Sequence, residues 1–181
     1  WNELPEDEER DLIARTTEAI AEATGTPPRG WRSPSGLTTT STLRLLHEAG
    51  YLYDSSLGDD DIPYLICTGD GDAEILELPW SWPLDDAVYF AFPGAIRRPN
   101  DVIDYWIEEF DAALALTGAF MLVCHPRYIG RPSRILAFER LIDYMKSQPG
   151  TVFTRCDALA ESIQGASWLP RHAAPARMDG R

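Results

Sequence analysis

The chain has 181 residues, and its 29 acidic against 16 basic side chains give a formal net charge of -13. Such a surface repels phosphate groups, which excludes nucleic acids and anionic membranes as partners. The length fits one domain, and no apolar run approaches the ~18 residues of a membrane helix. The three cysteines are widely spaced, which argues against a disulfide scaffold and against a zinc ribbon.

Helices and extended segments alternate along the chain, with glycine or proline between them. This order predicts a parallel α/β architecture, either a barrel or a doubly wound sheet. In chain order the pattern predicts a helix at 6–23, an extended segment at 29–32, a helix at 38–49, a strand at 51–54, an acidic loop at 58–71, an extended segment at 75–82, a helix at 100–116, a buried strand at 119–124, a helix at 132–147, a strand at 151–154 and a short helix from Asp157. Residues 1–164 are expected to form one domain and residues 165–181 a disordered tail.

Two polar segments follow predicted strands, where functional side chains of parallel α/β folds lie. His125 comes directly after the apolar run, and Pro126 holds it extended, so it is a candidate general acid. Arg32 follows the first extended segment and is a candidate for a two-pronged contact with a carboxylate. The alternatives are a buried structural histidine and a surface arginine in a turn.

Other polar groups give weaker signals. Cys124 points to the opposite face from its neighbour in a strand, so a thiol–imidazole pair is disfavoured. His47 is predicted to lie on a helix surface and His172 in the tail, without metal-ligand spacing. Aromatic and acidic residues follow Pro79, and they fit either a docking site for sugars or polar rings or a loop packed on the core. They are Trp82, Asp85 and Asp86.

Three segments together resemble the polysaccharide deacetylase family. Residues 32–36 (RSPSG) are similar to its arginine loop, and residues 77–86 (ELPWSWPLDD) to the segment that follows it. Residues 125–134 (HPRYIGRPSR) resemble its last motif, in the HPxxxGRPxR form of the branch with peptidoglycan-deacetylase-like, allantoinase-like and cyclic-imide-hydrolase-like proteins. The resemblance runs from about Pro5 to Ile163, and the last motif is the most specific part.

The resemblance implies a deformed (β/α) barrel and a hydrolase of non-peptide C–N bonds, acting on an N-acetylated sugar or a small cyclic amide. It gives His125 the role of acid and Arg32 that of orienting a base aspartate, while Trp82, Asp85 and Asp86 become candidates for substrate binding. A divalent metal, usually zinc, belongs to the complete family protein. The histidine motif and the acidic surface slightly favour a small intracellular substrate, and hence the cytoplasm.

The family's first aspartate motif and its HxxxH-type metal motif have no counterpart in the chain. We therefore expect an incomplete barrel that lacks its amino-terminal strands, binds no metal by itself and is inactive alone. Such a half-barrel exposes strand edges, so it is expected to aggregate, to form a homo-oligomer, or to pair with the missing half. The alternative class is a non-catalytic deacetylase-like domain that binds sugars or scaffolds a partner. An unrelated α/β hydrolase or transferase is disfavoured because GxSxG and a phosphate-binding glycine loop are lacking.

Overall fold

The computed structural model describes residues 3–69, 73–92, 94 and 96–173. The chain divides into two compact units, one formed by residues 1–79 and 154–181 and the other by residues 80–153. The helices are α1 (Glu6–Thr24), α2 (Thr42–Glu48), α3 (Asp86–Phe90), α4 (Pro99–Leu116), α5 (Pro126–Ile129), α6 (Pro132–Ser147) and α7 (Cys156–Ile163). The strands are β1 (Gly30–Trp31), β2 (Tyr53–Asp54), β3 (Tyr64–Cys67), β4 (Glu74–Glu77) and β5 (Arg171–Ala173). None of the helices in the described ranges is both long and apolar enough to cross a bilayer.

The first helix follows the sequence pattern closely. Four acidic residues occupy the first turn of α1, where they favour the positive end of the helix dipole. The helix ends at Gly25, which adopts a left-handed conformation (φ 81°) and donates its N–H to the Ala21 carbonyl. The predicted helices at 6–23, 100–116 and 132–147 are confirmed to within one residue, because long periodic stretches carry the strongest signal.

The sheet lies in the first unit, and its strand order is β1-β2-β4-β3-β5. The strands β1, β2 and β4 run parallel, as the α/β prediction requires, but β3 runs antiparallel to β4. Since β3 lies within the predicted loop 58–71, that loop prediction is wrong for residues 64–67. The core beside the sheet consists of the buried residues Ile13, Leu43, Leu45, Leu46, Tyr51, Leu57, Tyr64, Ile66 and Ile75.

The prediction of a disordered tail from residue 165 is wrong for residues 165–173. Leu169 is 3% exposed, and β5 pairs in parallel with β3, with Arg171 opposite Leu65. His172, expected in the tail, stacks on the ring of Tyr64 with 4.4 Å between ring centres. These contacts fix the segment against β3; residues 174–181 lie outside the described residues.

The second unit packs α4 against α6. Its core contains the fully buried Trp106, whose indole N–H donates to the Pro83 carbonyl at 2.9 Å. The predicted buried strand at 119–124 is wrong, because this run is half-buried or exposed and forms only a bridge from Val123 to Asp85. The predicted strand at 151–154 is also wrong, since these residues follow α6 without strand pairing in the described structure.

Gly30 of β1 has no room for a side chain. A Cβ there would lie 1.9 Å from the Cζ atom of Tyr53, on the neighbouring strand β2. Gly30→Ala is therefore expected to lower the free energy of unfolding by about 1 to 3 kcal/mol, because an overpacked ring must leave its position. Urea unfolding measures the loss. In a Tyr53→Ala background the same change should have much less effect, and an undiminished loss would contradict this explanation.

Candidate functional site

The carboxyl groups of Asp85 and Asp86 lie at the start of α3, in the second unit. Asp85 is the N-cap, and its Oδ1 accepts a hydrogen bond from the Ala87 backbone N–H at 2.7 Å. Asp86 is the first helical residue and is 0% exposed. Burial of an acidic side chain is costly unless its oxygens are hydrogen-bonded. The hydrogen-bond partners of Asp86 therefore show what stabilises this carboxyl group in the core.

Asp86 accepts three hydrogen bonds from the segment around His125. Its Oδ2 accepts from the backbone N–H groups of His125 and Ile129, both at 3.0 Å. Its Oδ1 lies 2.6 Å from His125 Nδ1. Hydrogen bonds to an ionised group are strong where water is excluded. Asp86 therefore fixes both the backbone and the ring of His125.

The pairing defines which ring nitrogen of His125 is available for chemistry. An ionised carboxylate only accepts hydrogen bonds, so Nδ1 carries the hydrogen that it donates to Asp86. This leaves Nε2 to exchange a proton with a ligand. The His125 side chain is 45% exposed, so its outer part is accessible. A buried carboxylate that orients an accessible imidazole is the arrangement of a general acid or base.

The turn after His125 depends on Gly130. The His125 carbonyl accepts from the backbone N–H groups of Tyr128 and Ile129, at 2.8 and 3.0 Å, which starts α5. A Cβ on Gly130 would lie 2.4 Å from the carbonyl oxygen of Pro126. The glycine of the HPxxxGRPxR segment is thus needed for the close turn that ends α5.

Arg134, the last residue of that segment, connects three helices of the second unit. Its Nη1 donates to the Tyr128 carbonyl at 3.0 Å, and its guanidinium lies 4.4 Å from the centre of the Phe90 ring. Phe90 ends α3, the helix that begins with Asp86. Arg134 of α6 therefore supports both helices that carry the Asp86–His125 pair.

Asp85, Asp86 and His125 each offer a possible metal-ligand atom, and these three atoms all lie within 4.8 Å of one another. The group does not fit a metal ion. Both Asp86 oxygens already accept hydrogen bonds, and a metal on Nδ1 would replace the N–H that Asp86 receives. The geometry is that of a hydrogen-bonded pair with Asp85 beside it, 3.6 Å from Nδ1.

Cys124 is unsuited to act as the nucleophile. Although the residue is exposed at the surface, burial of its thiol, and then the charges of Asp86 and Asp85, raise the pKa of Cys124 to about 12. The thiolate form is therefore scarce at neutral pH. This agrees with the sequence interpretation that a Cys124–His125 nucleophile is disfavoured.

The three predicted substrate-binding residues have different surroundings in the structure. Trp82 is 45% exposed and its ring meets Trp80 edge to face, with 4.6 Å between centres, so it presents a free aromatic surface. Asp85 is 5% exposed and serves as the helix cap. Asp86 is 0% exposed and its carboxylate accepts from backbone and ring N–H groups, which favours a positioning role over the predicted contact with substrate.

Arg32 lies in the first unit, directly after β1, as predicted. Its Nε donates to the Ser55 carbonyl at 2.8 Å, and its Nη2 bonds Ser55 Oγ. The side chain is exposed, yet the turn after β2 holds its stem. The next residue, Ser33, is anchored through its backbone N–H, which donates to Ser56 Oγ at 2.9 Å.

Sequence reasoning missed two acidic residues near Arg32. Asp54 ends β2 and Glu77 ends β4; they face each other in register and are both 0% exposed. Each is the last residue of its strand, and an acidic residue at the carboxyl end of a parallel strand is the sequence signal that could have identified it.

Comparison with known proteins agrees with the resemblance. Residues 1–53 match the family model for polysaccharide deacetylase. The peptidoglycan deacetylase of Helicobacter pylori is 25% identical over 86% of the chain and 64% of its own length. A crystal structure titled as a polysaccharide deacetylase from Mycobacterium smegmatis superposes with a TM-score of 0.86, at 34% identity over 96% of the chain and 62% of that protein.

An allantoinase crystal structure is similar as well, with a TM-score of 0.80 at 29% identity over 92% of the chain and 56% of the allantoinase. The chain thus spans less than two thirds of each of these relatives. The α/β fold of the deacetylase type is confirmed. From its sequence and its fold, the chain is related to the polysaccharide deacetylase family.

Proposed function

We propose that the chain is part of a hydrolase of non-peptide C–N bonds in which His125 protonates the leaving nitrogen. The observation that carries this function is the Asp86–His125 pair, in which a fully buried carboxylate orients an accessible imidazole. Amide cleavage releases a poor leaving group, and an acid placed at that nitrogen lowers the barrier. The similarity to deacetylases and to an allantoinase supports this reaction class, since both kinds of enzyme hydrolyse C–N bonds.

Each remaining residue has a role consistent with its surroundings. Asp86 is a positioning residue, because it acts on substrate only through His125. Arg32 offers a charged planar group that the resemblance assigns to orienting an aspartate, and its stem is held by Ser55. Trp82 offers an aromatic face on which a sugar or a polar ring can stack.

A divalent cation, usually zinc, supplies the activated water in this reaction class. The described residues do not form a site that fits such an ion, as the bonding of Asp86 shows. We therefore assign to this chain the acid, its positioning residue and substrate contacts, and no step through a metal.

Two substrate classes are compatible with the site. An N-acetylated sugar fits the relatives named as deacetylases, and a small cyclic amide fits the relative named as an allantoinase. The acidic chain favours a neutral or cationic substrate over an anionic one. We propose a small intracellular substrate and hence a cytoplasmic location.

The test uses the gene product at its natural length, supplied with zinc. Acetate release from N-acetylglucosamine oligomers and ring opening of allantoin and of a cyclic imide are measured in parallel. His125→Gln is expected to lower kcat by about 100-fold to 10,000-fold, the contribution of a positioned general acid. Trp82→Ala should raise KM with less effect on kcat. The exposed Asp143→Asn is the matched control and should leave both unchanged.

A non-catalytic binding domain is the second candidate, and the hydrogen bonds that occupy both Asp86 oxygens favour it, because they leave this carboxylate no oxygen for a metal ion. It predicts saturable binding of one of these substrates without turnover. Turnover that survives His125→Gln would exclude our assignment of the acid.

A further inference from the structure

The carboxyl ends of β1, β2 and β4 meet at one edge of the sheet, and a buried polar network lies there. Asp54 and Glu77 are partners in the parallel ladder, and both are 0% exposed. Two acidic side chains in contact within a core are unstable if both are ionised, since like charges repel and neither is hydrated. Two buried acidic groups at this position therefore need specific hydrogen bonds to be stable.

Each carboxyl group has defined partners. Asp54 Oδ2 accepts from the Ser56 backbone N–H at 3.0 Å, and its Oδ1 accepts from Ser56 Oγ at 2.8 Å. Glu77 Oε1 accepts from the Leu57 backbone N–H at 2.9 Å. The two carboxyl groups stand on residues that are paired in the parallel ladder, and each one perturbs the pKa of the other. A bond between carboxyl groups needs a proton, because ionised carboxylates only accept.

The bonding indicates that Glu77 carries this proton. Both Asp54 oxygens already accept from Ser56, whereas Glu77 Oε2 is buried and receives no hydrogen bond from any residue in the described ranges. That is the position expected of a hydroxyl that donates. Burial, and then the neighbouring charge of Asp54, raise the pKa of Glu77 well above its usual value, which agrees with a proton on Glu77.

The network continues from this pair to Arg32. Asp54 holds Ser56, whose Oγ accepts the backbone N–H of Ser33. Between them, Ser55 accepts from Arg32 through its carbonyl and through Oγ, and its own Oγ donates to the Leu78 carbonyl. The turn at residues 54–57 thus accepts hydrogen bonds from both Arg32 and Ser33.

We propose that Asp54 and Glu77 form a carboxylic acid–carboxylate pair that positions Arg32 by fixing the turn at residues 54–57. The role of Arg32 in hydrolysis rests on the proposed function, but the pair and its hold on Arg32 do not. The roles within the pair are unequal. An amide replaces a protonated carboxyl group well, because it donates and accepts, whereas it cannot accept two hydrogen bonds with two different atoms.

The test reads the Arg32 side chain directly, by the Nε–H resonance in ¹⁵N-labelled chain at pH 7, assigned with Arg32→Lys. Glu77→Gln is expected to keep the Arg32 Nε–H shift and its exchange rate. Asp54→Asn should move the shift toward that of a free guanidinium and speed exchange roughly fivefold, the scale of one lost hydrogen bond. Circular dichroism and a cooperative melt show that each variant is folded.

A second variant keeps the idea testable if Asp54→Asn does not fold. Ser56→Ala removes one hydroxyl, and the Ser33 backbone N–H should then exchange roughly fivefold faster. Infrared spectra at pH 7 should show a carboxylic-acid C=O band in the wild type that Glu77→Gln abolishes. The idea is overturned if that band is absent, if Arg32 is unmoved in folded Asp54→Asn, or if Glu77→Gln disturbs Arg32 as much. Activity enters none of these readouts, so failure of the proposed function is distinguished from failure of the pair.

Discussion

Asp86→Ala is expected to lower the free energy of unfolding by about 3 to 5 kcal/mol, the scale for breaking a buried charged contact. The change leaves two backbone N–H groups and the His125 Nδ1–H without their acceptor. Each of these donors is buried or half-buried. Leaving one without an acceptor costs about 1 to 3 kcal/mol of folding free energy, and relaxation of the surrounding structure recovers part of that cost. The free energy is measured by urea unfolding, with a check that the slope against urea is unchanged.

Two comparisons make the Asp86 experiment specific. Asp143→Ala, which removes an exposed carboxylate on α6, should change stability by less than about 0.5 kcal/mol. Asp86→Asn keeps the volume but turns an N–H₂ group toward donors, so it should also be destabilising, and ¹⁵N spectra should show His125 no longer fixed in its Nδ1–H form. A folded Asp86→Ala chain of wild-type stability would show that this carboxylate does not hold the site.

Glu77→Gln is expected to make the chain more stable than the wild type near neutral pH, and no more stable near pH 4. Burial raises the pKa of Glu77 in the folded chain. Below about pH 4.3 the group is protonated in both states, so it has no pH-dependent effect. At higher pH the unfolded chain releases the proton and the folded chain keeps it. Folded stability therefore falls by up to about 1.4 kcal/mol per pH unit until the raised pKa is reached.

The measurement is the difference in unfolding free energy between variant and wild type at several pH values from 4 to 8. Taking the difference cancels the titration of the acidic groups that do not interact with Glu77, so the remaining pH dependence belongs to the Asp54–Glu77 pair. Glu22→Gln, on the exposed part of α1, should show a flat difference. A flat difference for Glu77→Gln would mean that this carboxyl group is ionised alike in both states.

Periodicity in the sequence was sufficient for the long helices and insufficient for the short strands. The helix α6 was predicted with its correct ends because apolar residues recur over four turns between proline and proline-glycine. The strand β3 has four residues between acidic and glycine-rich neighbours, so turn signals outweighed it. The apolar run 119–124 predicts a strand wrongly, since hydrophobicity alone does not reveal whether a partner strand lies alongside.

The site was predictable in part. Arg32 is identified by its position after β1, and His125 by the apolar run before it, although that run is not a strand. The contact of Asp86 with His125 is seen only in the structure. The sequence could not assign different roles to Asp85 and Asp86, because two adjacent aspartates differ only in where their side chains point in the folded chain. One caps a helix and the other is buried on a histidine 39 positions later. Likewise, Asp54 and Glu77 become a pair only through the sheet register.

The pairing of β5 with β3 has a consequence for how the chain folds. The edge of the sheet at Leu65 is covered only when β5 pairs with β3, and Arg171, the residue opposite Leu65, lies more than a hundred positions further along the chain. Contacts so distant in sequence close late, since the loop between them must lose its freedom first. During synthesis the edge of β3 that faces away from β4 therefore presents unpaired backbone groups until residues 171–173 have emerged. A ribosome stalled before residue 171 would carry an open strand edge, and such edges recruit other chains.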